Sequence, residues 1–305
     1  MKHANLPDFI IIGAPKAGTT SLYRYLGTHP QIYMTPVKEP RYMAFPDRKP
    51  AYRGPAARAF NNAVVWRFDD YRNLFAERRD ERMAGEASPL YLWSEEAPTT
   101  MRRIVPDVKL VAILRDPVAR AHSHFCHNRR LGREPFADFR DALDAEPERI
   151  ARGWNPNIQY RGRGRYGEQI RRYLSIFPRD QLLVLLQADL RKQPAETLAE
   201  LCRFLGVDDT FEFDTTARYN VTAGMPRRIW LSRLFVAESG LKNAARRVIP
   251  ESVRSALFER YYHSNLEPRP SPDPDVRRML HAEFRDDILL LQELIDRDLA
   301  DWLRE

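Results

Sequence analysis

Phe9-Ile10-Ile11-Ile12-Gly13-Ala14-Pro15-Lys16-Ala17-Gly18-Thr19-Thr20-Ser21-Leu22 reads as a short apolar strand, a glycine turn and the first turn of a helix. A continuous apolar run bounded by turn residues suits a strand buried on both faces of a parallel sheet. The helix that follows presents unpaired backbone N–H groups with the helix dipole behind them, an arrangement that holds phosphate. The ligand is therefore expected to be anionic. A Walker loop has the pattern G-x-x-x-x-G-K-[ST]. Here Gly13 and Gly18 keep the glycine spacing, Thr19 stands in the place of the lysine, and the only lysine of the loop is Lys16. The phosphate cradle is kept and the NTPase arrangement is not.

The chain has 305 residues, enough for one large α/β domain or two smaller ones. Its 43% hydrophobic and 30% charged content is that of a globular protein, and no apolar run approaches the roughly 18 residues of a membrane span. Eight residues precede the first strand, too few for a secretory signal, so a cytoplasmic location is expected. Cys126 and Cys202 lie far apart and outside any paired-cysteine motif, which predicts reduced thiols rather than a disulfide framework. The net charge of +7 favours anionic partners without naming them. Of the 49 basic residues 42 are arginine, so the lysines at positions 16 and 38 stand out as compact point charges.

Three apolar runs, Phe9 to Ile12, Lys109 to Leu114 and Gln181 to Leu186, read as buried parallel strands. The helices expected after them span Thr19 to Gly27, Pro117 to Arg130 and Pro194 to Leu205, the last two opening on proline. Strand-helix alternation implies a mostly parallel sheet with helices on both faces. Ligands bind such sheets beyond the carboxyl ends of the strands, so Lys16, Arg115 and Gln187 are expected at one crevice. A long proline-containing region, roughly 36 to 100, carries a short strand or turn around Met83 to Tyr91. Residues 229 to 262 form basic amphipathic stretches, whose composition suits contact with a membrane surface or another subunit. Pro268, Pro270, Pro272 and Pro274 then mark a break before a last helix from Pro274 to Leu303. The expectation is a single domain, 1–305, with a helical C-terminal addition at about 229–305.

Leu110-Val111-Ala112-Ile113-Leu114-Arg115-Asp116-Pro117-Val118-Ala119-Arg120-Ala121-His122-Ser123 places an arginine at a strand end and a serine on the following helix. A kinase or NTPase would more naturally offer an aspartate to magnesium here. A guanidinium is suited instead to bidentate capture of a second phosphate. One anchor for a 5' group and one for a 3' phosphate describe a particular kind of nucleotide.

On these residues the sequence resembles the sulfotransferases that use 3'-phosphoadenosine 5'-phosphosulfate (PAPS), especially the bacterial and heparan-sulfate-type branch, over most of the chain. In that family P-K-x-G-T-[ST] binds the 5'-phosphosulfate, and Pro15 to Thr20 fit it position by position. R-D-P-x-x-R-x-x-S binds the 3'-phosphate, and Arg115, Asp116, Pro117, Arg120 and Ser123 fit it. The resemblance implies a P-loop-like three-layer α/β fold and a cofactor site formed by Lys16, Ala17, Gly18, Thr19, Thr20, Ser21, Arg115 and Ser123. It implies PAPS as sulfuryl donor, 3'-phosphoadenosine 5'-phosphate (PAP) as product and no metal. Lys38-Glu39-Pro40-Arg41-Tyr42-Met43 looks like the K-E-P-x-[FY]-F segment, whose glutamate is the general base, with Met43 departing from the aromatic residue. Gly85-Glu86-Ala87-Ser88-Pro89-Leu90-Tyr91 looks like E-K-[ST]-P-x-Y, but Ala87 replaces the lysine of the heparan-sulfate enzymes, which weighs against a glycosaminoglycan-like acceptor. Glu39 is thus the candidate base together with Lys16 as catalytic cation, and Glu86 is a reserve base with a structural role as its first reading. Asn220 to Arg228 stands where the family has a loop over the cofactor, which makes Arg227 and Arg228 candidate phosphate ligands.

The implied reaction is in-line sulfuryl transfer to a hydroxyl of a sugar, glycolipid or natural-product acceptor. Positioning and charge stabilisation dominate such a step by analogy with phosphoryl transfer. The residues alone leave two other readings open. A P-loop kinase would use ATP and magnesium with Asp189 as the metal-side acid, and the missing Walker lysine weighs against it. A basic polyanion- or nucleic-acid-binding module would tolerate loss of Lys16 and show steep salt dependence. The run His122-Ser123-His124-Phe125-Cys126-His127 puts His122 and Cys126 on one helix face and His124 and His127 on another. No four ligands converge, so these read as packing and surface residues.

Overall fold

The structure, a computed structural model, describes residues 5–216, 225–226, 266–267 and 271–304. In chain order the elements are β1 (Phe9–Gly13), α1 (Thr19–Leu26), β2 (Ile32–Met34), α2 (Ala57–Asn62), α3 (Phe68–Asn73), β3 (Met83–Ala87), α4 (Ala97–Ile104), β4 (Lys109–Leu114) and α5 (Pro117–Arg130). They continue with α6 (Phe139–Asp144), α7 (Glu146–Ala151), α8 (Tyr166–Leu174), β5 (Leu182–Leu186), α9 (Gln187–Lys192), α10 (Pro194–Leu205), β6 (Met225–Pro226), β7 (Leu266–Glu267) and α11 (Pro274–Ile295).

Five strands form a parallel sheet in the order β2-β3-β1-β4-β5. Alternate residues of each strand enter opposite cores, as the period of two requires. Ile10 and Ile12 of β1, Leu110, Ala112 and Leu114 of β4, and Leu182, Val184 and Leu186 of β5 face one core. It is closed by Phe125 of α5, Tyr173 of α8 and Phe284 and Leu291 of α11. Phe9, Ile11, Val111, Ile113 and Leu185 face the other, under Leu22 and Leu26 of α1 and Leu198, Leu201 and Leu205 of α10. Burial on both faces explains why these strands read as unbroken apolar runs, and the fold is the expected three-layer α/β sandwich. Cys126 and Cys202 are buried thiols, one in each core, and form no disulfide.

From β1 the chain crosses towards β2 and β3, and from β4 it crosses the other way to β5. The reversal puts a topological switch point between the carboxyl ends of β1 and β4, where open α/β sheets bind their ligands.

The helix after β4 and α10 have the expected bounds. The C-terminal helix stops eight residues short of the expected Leu303: Asp296 adopts a left-handed conformation, φ 51°, at its C-cap, and a separate 3-10 turn, Ala300–Trp302, follows. This helix belongs to the main core, and its Asp287 carboxylate accepts from the Gly167 and Glu168 amides at 2.9 and 3.0 Å, capping α8. The two-residue strands β6 and β7 pair antiparallel. The basic stretch 229–262, Pro268 and Pro270 lie outside the described residues.

Candidate functional site

The loop after β1 is pinned at close quarters. A Cβ on Gly13 would come within 2.6 Å of Leu92 Cβ, so only glycine lets the strand end approach that segment. The Ala14 amide donates to the Ile113 carbonyl at 2.8 Å, which ties the loop to the end of β4. Lys16 (φ 68°) and Gly18 (φ 114°) are both left-handed and turn the chain sharply into α1. Gly18 is the N-cap of that helix and brings no side-chain cap, and the first turn carries no acidic residue. The first-turn N–H groups of Thr19, Thr20 and Ser21 therefore retain their affinity for an anion. Ala17 and Thr19 are buried beneath the loop, while Lys16, Thr20 and Ser21 are half-buried.

Arg115 leaves the end of β4, and its Nη1 lies 3.5 Å from the Lys16 carbonyl oxygen. The two cationic residues on which the sequence reading turns thus sit side by side at the switch point. The neighbouring Asp116 is occupied as the N-cap of α5, accepting from the Ala119 amide at 2.6 Å. Ser123 is buried on the same helix. Gln187 opens α9 at the end of β5. Arg120 turns away into the interior, where it is fully buried and donates to the Tyr160 carbonyl. Arg227 and Arg228 lie outside the described residues.

The segment Lys38 to Arg41 lies at the carboxyl end of β3, the strand beside β1. The Glu39 amide donates to the Ala87 carbonyl at the end of β3 (3.0 Å), and the Arg41 amide donates to Ser88 Oγ (3.1 Å). Glu39 and Arg41 are both left-handed, each with φ 62°. This double turn brings Lys38 and Arg41 onto the same carboxylate: Lys38 Nζ is 3.0 Å from Glu39 Oε1 and Arg41 Nη2 is 2.5 Å from Oε2. Burial alone would raise the Glu39 pKa, but the charges and hydrogen bonds of Arg41 and Lys38 together outweigh it and lower the value to about 2. The side chain keeps a third of its surface exposed, so it is open to a ligand.

Glu86, on β3, has the opposite environment. It is fully buried and accepts from three hydroxyls, Ser88 Oγ at 2.7 Å, Tyr91 at 2.8 Å and Tyr71 at 2.9 Å. Burial pushes its pKa up to about 7 even though those hydrogen bonds work against the shift. Ser88 joins the two carboxylates, since its oxygen donates to Glu86 and accepts from the Arg41 amide.

One residue of the α5 run has an environment that its sequence reading did not anticipate. His127 was expected among packing and surface residues, yet it feels the charges of both Lys16 and Glu39. Burial first, then Lys16, Arg130 and Arg133, bring its pKa down to about 3, so the imidazole is neutral near pH 7. The helical spacing from Ser123 was the available signal, because it puts His127 one turn further along the face that carries the motif serine. Arg163 is also within the field of Glu39 and Arg41; it is buried, and its Nε and Nη2 make no hydrogen bond among the described residues. In the same helical run Cys126 Sγ is 3.6 Å from His122 Nε2, and the described residues contain no group of three or more His, Cys, Asp or Glu fit to hold a metal ion. Asp189, the metal-side acid of the kinase reading, is paired with Arg297 at 2.7 Å. Among the described residues no helix is long and apolar enough to cross a membrane.

The chain is similar to known proteins along most of its length. Residues 7–212 match the model of the sulfotransferase family. The chain is 27% identical over 311 residues to the human bifunctional heparan sulfate N-deacetylase/N-sulfotransferase 3, covering 98% of this chain and 31% of that protein. It is 26% identical over 240 residues to the Drosophila melanogaster bifunctional heparan sulfate N-deacetylase/N-sulfotransferase, covering 72% of this chain and 21% of that one. The chain thus spans about a third or less of the length of these curated relatives. A solved sulfotransferase from Alicyclobacillus acidocaldarius superimposes with a TM-score of 0.76 at 33% identity, covering 98% of this chain and 99% of that one.

Proposed function

The chain belongs to the sulfotransferase family, and on that premise we propose that it moves the sulfuryl group of PAPS to a hydroxyl of a sugar, glycolipid or natural-product acceptor. The observation that carries this reading is the placing of Lys16 and Arg115 together at the switch point, where Arg115 Nη1 lies 3.5 Å from the Lys16 backbone oxygen. A bisphosphorylated adenosine has two anionic ends, and the crevice offers a cation and helix amides for one and a guanidinium for the other.

Lys16 and the first-turn amides of α1 stabilise the charge that develops on the 5'-phosphate oxygen as its bond to sulfur breaks. Arg115 and Ser123 hold the 3'-phosphate, and so fix the nucleotide along the sheet edge. The new bond forms between the acceptor oxygen and sulfur, and the acceptor proton passes to Glu39. A carboxylate with a pKa near 2 is a weak base towards a free alcohol. It serves here because the acceptor oxygen becomes strongly acidic once it is bonded to sulfur, so a late proton transfer needs only a correctly placed acceptor. His127, within the field of Lys16 and Glu39, is neutral and adds no charge that would compete with Lys16.

Calorimetric titration with PAP and with ATP, in wild type and Lys16→Ala, tests the reading. PAP is expected to bind in clear preference to ATP, and Lys16→Ala to weaken PAP by about tenfold or more, the effect of losing one charge-assisted contact of about 1.5–3 kcal/mol. Preference for ATP would point to the kinase, and binding of neither nucleotide to a polyanion module.

A further inference from the structure

Arg115 borders a second space besides the crevice it shares with Lys16. Between the first turns of α5 and α11 lies a cavity of about 450 Å³ whose wall includes Arg115, Ala119, His122, Arg277 and His281. Its size falls in the range of roughly 300–1,000 Å³ usual for small-ligand sites. Two carboxylates also reach the wall, and both are engaged: Asp116 caps α5, and Asp301 pairs with Arg304 at 2.9 Å. Two arginines thus border a space whose two carboxylates are otherwise engaged.

Arg277 is exposed on the helix surface, but its guanidinium is tethered at one nitrogen to a buried partner. His281 is 7% exposed, and its Nδ1 lies 3.0 Å from the Trp302 carbonyl oxygen. A carbonyl only accepts, so Nδ1 carries the ring proton and Nε2 is left as an acceptor. Arg277 Nε donates to that nitrogen at 3.3 Å. The relay runs from the C-terminal 3-10 turn through a buried imidazole to the guanidinium. It reduces the rotamer entropy that a long side chain loses when it grips a ligand.

We propose that Arg277 is a specificity-determining residue for the donor nucleotide: it joins Arg115 in binding the 3'-phosphate, with His281 as the positioning residue that aims it. The inference rests on the PAPS reading above and extends the 3'-phosphate site from the strand-end motif to the C-terminal helix. A phosphate dianion is matched by two guanidinium forks better than by one. Arg278, equally exposed on the same helix but paired with Asp275 and outside the cavity wall, provides the internal control.

The experiment is calorimetric titration of the full chain with PAP and with adenosine 5'-phosphate, which lacks the 3'-phosphate. Arg277→Ala is expected to weaken PAP by about 10- to 100-fold and to leave adenosine 5'-phosphate unchanged. Arg278→Ala should change neither. His281→Gln, whose amide oxygen still accepts from Arg277 Nε, should keep more of the PAP preference than His281→Leu. Equal weakening of both nucleotides by Arg277→Ala would show a general disturbance and overturn the proposal. Unchanged PAP binding in Arg277→Ala would overturn it too, while leaving the donor reading standing. Failure of the wild type to bind PAP would remove both.

Discussion

The two walls of the crevice are made of different material. The donor wall, Lys16 to Ser21 with Arg115, is set by backbone: two left-handed turns, a strand-end amide tied to Ile113, and a helix start without a side-chain cap. The other wall has a double left-handed turn of its own, at Glu39 and Arg41, but there the backbone serves to gather side chains. Glu86 orders Ser88, Ser88 receives the Arg41 amide, and Arg41 and Lys38 grip Glu39. On the proposed reading, a backbone cradle tolerates sequence change outside its glycines and would recognise what all donors share, their phosphates. A chain of side chains is retuned by single substitutions, which would suit a wall that meets a variable acceptor.

If the walls work independently, Glu39→Gln separates them with the largest effect. Its expected outcome is a loss of about 10²- to 10⁴-fold in the rate of PAP release from PAPS over a panel of hydroxyl acceptors, with PAP affinity by calorimetry unchanged. Parallel loss of rate and of PAP affinity would show that the acid wall also shapes the donor site, and the contrast would fail. Normal turnover would remove Glu39 from the chemistry.

Glu86 allows a second separation, through stability. Its pKa is raised by burial from the ordinary 4.5 to about 7 in the folded protein, so between those values the native state holds a proton that the unfolded chain has released. Stability from this group is present in full below about pH 4.5 and declines as pH rises to about 7, by roughly 3 kcal/mol at 1.36 kcal/mol per unit. Denaturant unfolding of Glu86→Gln between pH 5 and 7.5 should lack this falling component. Equal slopes in variant and wild type would mean that Glu86 is ionised in the native state throughout that range. The side-chain wall would then rest on a charge instead of a proton-sharing network.

The same contrast governs how much of the molecule could be read from its sequence. The donor wall was legible because each part is local: β1 and β4 are buried on both faces, and their cations follow within a few residues of the strand ends. The second wall was legible only in its motif letters. Lys38-Glu39-Pro40-Arg41 names a carboxylate between cations, but the double left-handed turn that folds both cations onto it is visible only in the backbone. The short helices α2 and α3 escaped notice because six residues give too little periodicity, although Phe60 and Tyr71 anchor them in the core. The edge strand β2 has three residues and one buried position. The surroundings of His127 and the tether of Arg277 to His281 were illegible for another reason. Spacing along a helix tells which residues share a face, and it is silent about the loop or distant helix that the face meets.

Arg41 offers the finest adjustment of the side-chain wall. Its guanidinium lies 2.5 Å from Glu39 Oε2 and 4.8 Å from the centre of the Phe60 ring, so it is held by stacking as well as by charge. Arg41→Gln removes one of the two cations that keep the Glu39 pKa near 2 and leaves Lys38 in place. The Glu39 pKa should rise towards the ordinary carboxylate range by about 1–3 units, and the acid limb of the pH–rate profile should move up with it. A rise in basicity helps proton transfer while a narrower ionised range opposes it at low pH, so the variant should lose activity at pH 4 to 5 and lose least near pH 7. PAP affinity should stay as in wild type across the whole range, since the donor wall owes nothing to this residue. An unmoved acid limb would mean that Lys38 alone fixes the carboxylate, and the paired grip on Glu39 would carry no chemical weight.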